Sequence, residues 1–321
     1  EARYGISARN DIVRWSQHDP RFDVSRHPNE PNHFGWVVEI DPYDPQSVPV
    51  KRTALGRKKQ EAAAPAICRD GRVAFYMGDD QAFEYLYKFV TARPWNPQDR
   101  AANRDLLDEG TLYAARFDAD GSGRWLELAF GRNGLTPANG FRSQAEVLIR
   151  AREAADRAGA TPMDRPEWTA VDPASGAVYA TLTGNAARGR AGRPGADAAN
   201  PRAPNRDGHL LRWFEDGGDH AATRFRWEIA VLAGDPQAAD ASARSDAAGD
   251  AFAAPDGLMV DPRGLVWIQT DLPPDAPAAR RAAFGNNQLL AMDPRTRELR
   301  RFLTGPRGCE ITGACLTPDA R

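Results

Sequence analysis

Short apolar runs broken by Asp-Pro or Asp-Gly recur along most of the chain. Phe34 to Ile40 runs into Asp41-Pro42, and Arg72 to Met77 follows Asp70-Gly71. Ala177 to Leu182 follows Asp172-Pro173 and Ser175-Gly176. Leu265 to Thr270 follows Asp261-Pro262-Arg263-Gly264, and Gln288 to Met292 runs into Asp293-Pro294. β-Branched and aromatic runs bounded by turn formers predict strands joined by hairpins. The repeated phrase of strand, Asp-Pro-x-x-Gly, strand predicts an all-β fold and, within it, a β-propeller, whose blades are four-stranded sheets around a channel. The reading gives roughly fourteen to sixteen strands, about four blades of four. A sandwich ordinarily needs fewer strands and lacks the recurring phrase.

One segment departs from this period. From Ser143 to Asp156, the residues Ala145, Leu148, Ile149, Arg152 and Ala155 fall at helical spacing, which predicts a helical insertion. Ser143 suits the N-cap with Glu146 as its capping-box partner, and Gly159 suits the stop. The helix leads towards Arg165-Pro166-Glu167-Trp168 and is expected to buttress that loop. Residues 188–206, 234–250 and 272–283 are rich in Ala, Gly, Pro, Arg, Asp and Ser. They hold too little apolar surface to pack and read as exposed loops between strands.

At 321 residues the chain can bury a large core. Its 42 basic and 44 acidic residues are nearly balanced, which gives no reason to expect nucleic acid or an anionic membrane as partner. No apolar run approaches the roughly 20 residues that span a bilayer. Cys68, Cys309 and Cys315 make neither a disulfide framework nor a zinc spacing. Cys309 and Cys315 read as a pair of buried free thiols.

Four acids sit on short turn-like segments far apart in sequence: Glu61, Glu167 after Pro166, Asp256 between Pro255 and Gly257, and Glu310 between Gly308 and Gly313. Carboxylates brought together repel unless cations lie between them, and hard cations such as calcium take several oxygen ligands. The pattern suggests a metal site at the hub of a repeated fold, although unrelated surface acids would look the same on spacing alone. Asp79, Asp80 and Asp271 end strands, where acids are common solvated caps, and are further candidates. Arg165 precedes Glu167 by two residues and Arg307 precedes Glu310 by three. Beside a metal cluster such arginines would suit a multiply charged oxyanion such as phosphate. Asp118 to Gly123 resembles the start of a calcium loop but lacks the EF-hand offsets and reads as a hairpin turn. There is no Gly-x-Ser-x-Gly elbow, no P-loop and no zinc spacing among the five histidines, and His209 reads as structural.

These segments resemble the PhoX family of bacterial alkaline phosphatases. The matching runs are Gly35 to Pro42, Val50 to Arg57, Tyr76 to Asp80, Phe83 to Phe89, Asp164 to Trp168, Pro255 to Pro262, Gly285 to Leu290 and Cys309 to Gly313. The resemblance implies a six-bladed propeller with added helices, exported by the twin-arginine route to the periplasm or beyond. It implies a monomer that hydrolyses small phosphomonoesters at a cluster of two ferric and three calcium ions joined by an oxo group. By motif, Glu61, Glu167, Asp256 and Glu310 match cluster ligands and Arg165 a phosphate contact. Residues 1–321 then form one propeller domain lacking its N-terminal portion. Glu1 matches the last Glu of the family's Cys-Glu-Glu segment and is a further ligand candidate, while the iron-binding cysteine of the family lies upstream. Where the family usually has His-Glu-Gly, this chain has Gln60-Glu61-Ala62. The resemblance places the activity with the full-length protein. Two other readings are a non-catalytic, calcium-stabilised propeller scaffold and a lactonase-type hydrolase with one calcium.

Overall fold

The computed structural model describes residues 2–7, 13–240, 243–317 and 319. Sixteen strands dominate it. β1 (Val37–Glu39) and β2 (Val50–Arg52) form a separate ribbon. The remaining strands are mostly arranged as three antiparallel meanders of four. The first is β3 (Gln60–Ile67), β4 (Val73–Asp79), β5 (Leu86–Thr91) and β6 (Gly110–Phe117). After it, β7 (Ser122–Glu127) pairs with β6. The second is β8 (Pro166–Val171), β9 (Val178–Leu182), β10 (His209–Glu215) and β11 (Arg224–Leu232). β7 also pairs with β11, so the two meanders make one nine-stranded sheet. After β12 (Ala248–Gly249), the third meander is β13 (Pro255–Val260), β14 (Val266–Thr270), β15 (Gln288–Asp293) and β16 (Glu298–Thr304).

The meanders are propeller blades. The first strand of each is its inner strand, and β8 lies against β3 and β4 on one side and β13 on the other. Strands buried on both faces read as unbroken runs: Leu86–Thr91 and Val178–Leu182 are buried throughout. β15 alternates buried and half-buried positions, as a half-covered strand should. One core fills the space between the first two meanders, with Tyr76, Trp125, Trp213 and Phe225 at its centre. A second joins the second and third meanders through Tyr179, Leu210, Leu258, Ile268 and Leu290.

The helical segment is broken in two. α1 (Gln144–Ile149) starts where the Ser143 hydroxyl accepts the Glu146 amide at 3.3 Å. α2 (Ala151–Ala158) ends at Gly159, whose φ of 86° lets its amide reach Ala155 and Asp156 carbonyls. Between them Arg150 leaves helical geometry, with φ −108° and ψ 40°. The pair covers the outer face of the first meander through Val147, Ala151, Ala154 and Ala155.

Of the three stretches read as exposed loops, residues 234–250 are mostly exposed where described, while the other two are anchored. Arg188, Ala199, Asn200, Arg202 and Asn205 are buried, and Phe284 of α3 (Ala278–Phe284) packs with Leu272 and Ala276. Cys309 and Cys315 are free, but Cys309 is half-buried and Cys315 exposed; Cys68 is the buried thiol.

Candidate metal centre

Each inner strand carries its candidate acid at the second residue: Glu61 in β3, Glu167 in β8 and Asp256 in β13. Each pairing with the next strand slips by one residue just there. Gln60 faces Asp79 but Ala64 faces Tyr76, Pro166 faces Leu182 but Thr169 faces Ala180, and Pro255 faces Thr270 but Leu258 faces Ile268. A β-bulge re-aims side chains out of the ladder. The same bulge in three meanders turns three acids towards one place.

A second repeated position faces them. The amides of Asp80, Thr183 and Asp271 donate to the carbonyls of Lys59, Arg165 and Ala254. These three residues follow one another's places in successive blades, and two of the three are acidic. Carboxylate oxygens of Glu61, Glu167 and Asp256 all lie within 4.8 Å of one another, and so do those of Asp256, Asp271 and Glu310. Asp256 belongs to both groups. The C-terminal segment thus adds Glu310 to acids supplied by the blades.

Arg165 lies among these carboxylates. Its Nε stands 2.6 Å from Asp80, its Nη2 3.0 Å from Glu167 and 3.9 Å from Asp271. Its backbone is left-handed, φ 62°, directly before Pro166; Ala254, the equivalent residue before Pro255, has φ 54°. A residue before proline is held out of the helical region, and left-handed geometry costs a side-chain-bearing residue of order 1–3 kcal/mol. The loop is held by neighbours. Asp164 is fully buried, 2.5 Å from Arg188 and 2.9 Å from Asn205. Asn205 also meets His209 Nδ1 at 3.0 Å, while His209 Nε2 lies 2.8 Å from the Ala199 carbonyl.

Burial and mutual repulsion raise every acid pKa in the two groups for which a shift is resolved. Asp256 is pushed up to about 7 by burial, then by Glu61, Asp271 and Glu310. Glu167 is raised furthest, by burial and then by Asp256 and Asp80. Glu61 and Glu310 are raised by burial, then by Asp80 and by Asp271 respectively. Burial opposes the Arg165 charge, but Asp80, Glu167 and Asp271 outweigh it and raise its pKa. One guanidinium is too little positive charge for six surrounding carboxylates. Glu167 Oε1 is buried and makes no hydrogen bond, its Arg165 contact being an ion pair only. An all-oxygen, charge-deficient cage with an orphaned buried oxygen fits hard, multivalent cations.

Not every candidate reaches the cage. Asp79 is fully buried and faces the other way, 2.5 Å from Arg152 of α2. Adjacent strand residues point to opposite faces, so Asp79 serves the helix and Asp80 the channel. α2 therefore braces the end of β4 through Arg152 rather than the Arg165 loop. Arg307 is exposed, and among the described residues no ion pair or hydrogen bond ties it to the acids. Glu1 lies outside the described residues. None of the three cysteines belongs to either acid group.

No curated protein matches the chain. Among solved structures it is similar to Pseudomonas fluorescens PhoX in complex with vanadate, a transition state analogue, at 50% identity and TM-score 0.94. That match covers 99% of this chain and 57% of the other, so the chain spans less than two thirds of the relative's length. The family model described as alkaline phosphatase PhoX matches residues 1–321. By sequence family, by fold and by the acids gathered at the hub, the chain belongs to the PhoX alkaline phosphatase family.

Proposed function

We propose that this chain carries the phosphate-facing part of a metal-dependent phosphomonoesterase, an alkaline phosphatase acting on small phosphomonoesters. The observation that carries the reading is the convergence of Glu61, Glu167 and Asp256 from three equivalent bulges, with Asp271 and Glu310 beside them. The similarity to a protein that binds vanadate as a transition state analogue supports it. Glu61, Asp80, Glu167, Asp256, Asp271 and Glu310 would hold the cations, for which calcium with ferric iron is the assignment that the family resemblance favours. When bound, such cations would neutralise phosphoryl oxygens and lower the pKa of a bound water.

The chain's own part is positioning and charge. Arg165 offers a planar fork of donors suited to two phosphoryl oxygens at once. Pro166 and the Asp164–Arg188–Asn205 contacts fix the backbone from which that fork extends. A held donor facing developing negative charge is worth more than a mobile one. In the reaction water adds to phosphorus, the P–O bond to the alcohol breaks, and the alcohol oxygen takes up a proton. The family resemblance also favours a monomer working in the periplasm or outside the cell; among the described residues no helix is long and apolar enough to cross a membrane.

The test is hydrolysis of p-nitrophenyl phosphate by the full-length protein, with calcium and iron measured on the same sample. Activity that disappears on chelation and returns with calcium is expected. Undiminished turnover by metal-free protein would overturn the reading.

A further inference from the structure

A cleft of about 180 Å³ opens beside the acid cluster. Arg165 and Asp271 form its wall on the cluster side, and Asn185, Arg206, Pro273 and Arg280 line much of the rest. Arg206 is exposed, and among the described residues its guanidinium makes no ion pair. Arg280 of α3 donates to the Arg206 carbonyl at 3.0 Å and pairs with Asp207 at 2.7 Å. Its Nε is buried and makes no hydrogen bond. Asn185 is 3% exposed, and its side-chain amide is turned to the Asp164 carboxylate. Asp207 offsets part of the Arg280 charge, and Asp271 already belongs to the acid cluster. The cleft therefore presents surplus donors and surplus positive charge next to the residue that would grip the phosphoryl group.

A buried donor without an acceptor is costly, and a ligand oxygen can supply the missing partner. Guanidinium groups favour carboxylate and phosphate, which they can meet with paired hydrogen bonds. Resting on the phosphatase reading above, we propose that this cleft is the leaving-group subsite. Arg206 and Arg280 then select phosphomonoesters whose leaving group carries a second anion, a carboxylate or a further phosphate. Uncharged alcohols leave through the same cleft without using either guanidinium.

Two ester pairs test this in the full-length enzyme. Glycerol phosphate and 3-phosphoglycerate differ by one carboxylate, and fructose 6-phosphate and fructose 1,6-bisphosphate by one phosphate. The readout is the ratio of kcat/KM within each pair, in which the fraction of active protein cancels. A charge-assisted contact predicts a ratio of roughly 10 to 100 in favour of the more anionic ester. The pair with the larger ratio identifies the preferred second anion. Arg206→Gln should lower the ratio about tenfold, chiefly through KM, and Arg206→Glu should lower it further. Arg206 is exposed, so neither change threatens folding; Arg280→Gln provides the second, half-buried arm. Ratios near one in both pairs, or ratios that none of the three variants moves, overturn the subsite while leaving the phosphatase reading intact. Failure to hydrolyse any of the four esters overturns both.

Discussion

At the scale of single residues, the decisive side chain is Arg165. Its place beside Glu167 was legible in the sequence, but its partners Asp80 and Asp271 were not, because they come from just past the ends of β4 and β14. Arg165→Lys keeps one positive charge among the acids but loses the planar fork. We expect kcat/KM to fall by roughly ten- to a thousand-fold, about 1.4 to 4 kcal/mol, with metal content unchanged. Wild-type kinetics in that variant would remove Arg165 from the phosphate, and lost metal would make its role structural. His209 gives a cleaner pH test, since it lies away from the acids. Full burial pushes its pKa down from 6.5 to about 4. Between those values the unfolded chain binds a proton that the folded one refuses, so stability falls as pH drops from 6.5 towards 4. Urea unfolding should lose about 2 kcal/mol between pH 7 and pH 5 from this group alone. His209→Gln should flatten that slope. An unchanged slope would mean that His209 protonates in place.

At the scale of elements, the strands were legible because turn formers punctuate apolar runs, and α1 was legible because Ser143 and Glu146 form a recognisable start. The anchored loops were not. Arg188, Asn200, Arg202 and Asn205 are buried through ion pairs and hydrogen bonds rather than by apolar packing, and polar burial leaves no hydrophobic signature. The choice between Asp79 and Asp80 depended on strand parity. The clue was Arg152, a basic residue on the apolar face of the predicted helix that needs a buried acid. The bulges were invisible too, since slipping by one residue changes no composition. They make a sharp demand on Gly78, which faces Glu61 across β3 and β4. A Cβ there would stand 2.0 Å from the Glu167 carbonyl oxygen, a backbone atom that cannot swing aside. Gly78→Ala should therefore force β4 and β8 apart, destabilising the protein by about 1–3 kcal/mol or more and displacing Glu167. Thermal unfolding and bound calcium should both fall. A variant that keeps both would show that the inner strands tolerate separation and that the cage does not depend on their close contact.

At the scale of the whole molecule, the candidate metal site is the place where three blades and the C-terminal segment meet. β3, β8 and β13 share no ladder hydrogen bonds with one another. Apolar packing, the β7–β11 ladder and a few threonine hydrogen bonds hold their blades together, while their acidic ends repel. Without cations the hub would work against assembly, and cations held there would become a bond between blades. A ligand bound only by the folded form stabilises it by RT ln(1 + [L]/Kd), about 2.7 kcal/mol at a hundredfold excess over Kd. For a chain of 321 residues that corresponds to a rise in Tm of roughly 4 °C. Calorimetry of chelated protein with and without added calcium measures the shift directly. Asp256→Asn separates cage from general salt effects, because Asp256 belongs to both acid groups. The variant should raise the Tm of the chelated protein, by relieving repulsion, and shrink the calcium-induced rise. Magnesium, which demands a tighter octahedral shell and gives up its waters reluctantly, should stabilise less. Equal Tm with and without calcium would mean that the acids are held apart well enough by Arg165 alone, and that the blades do not need the metal to close.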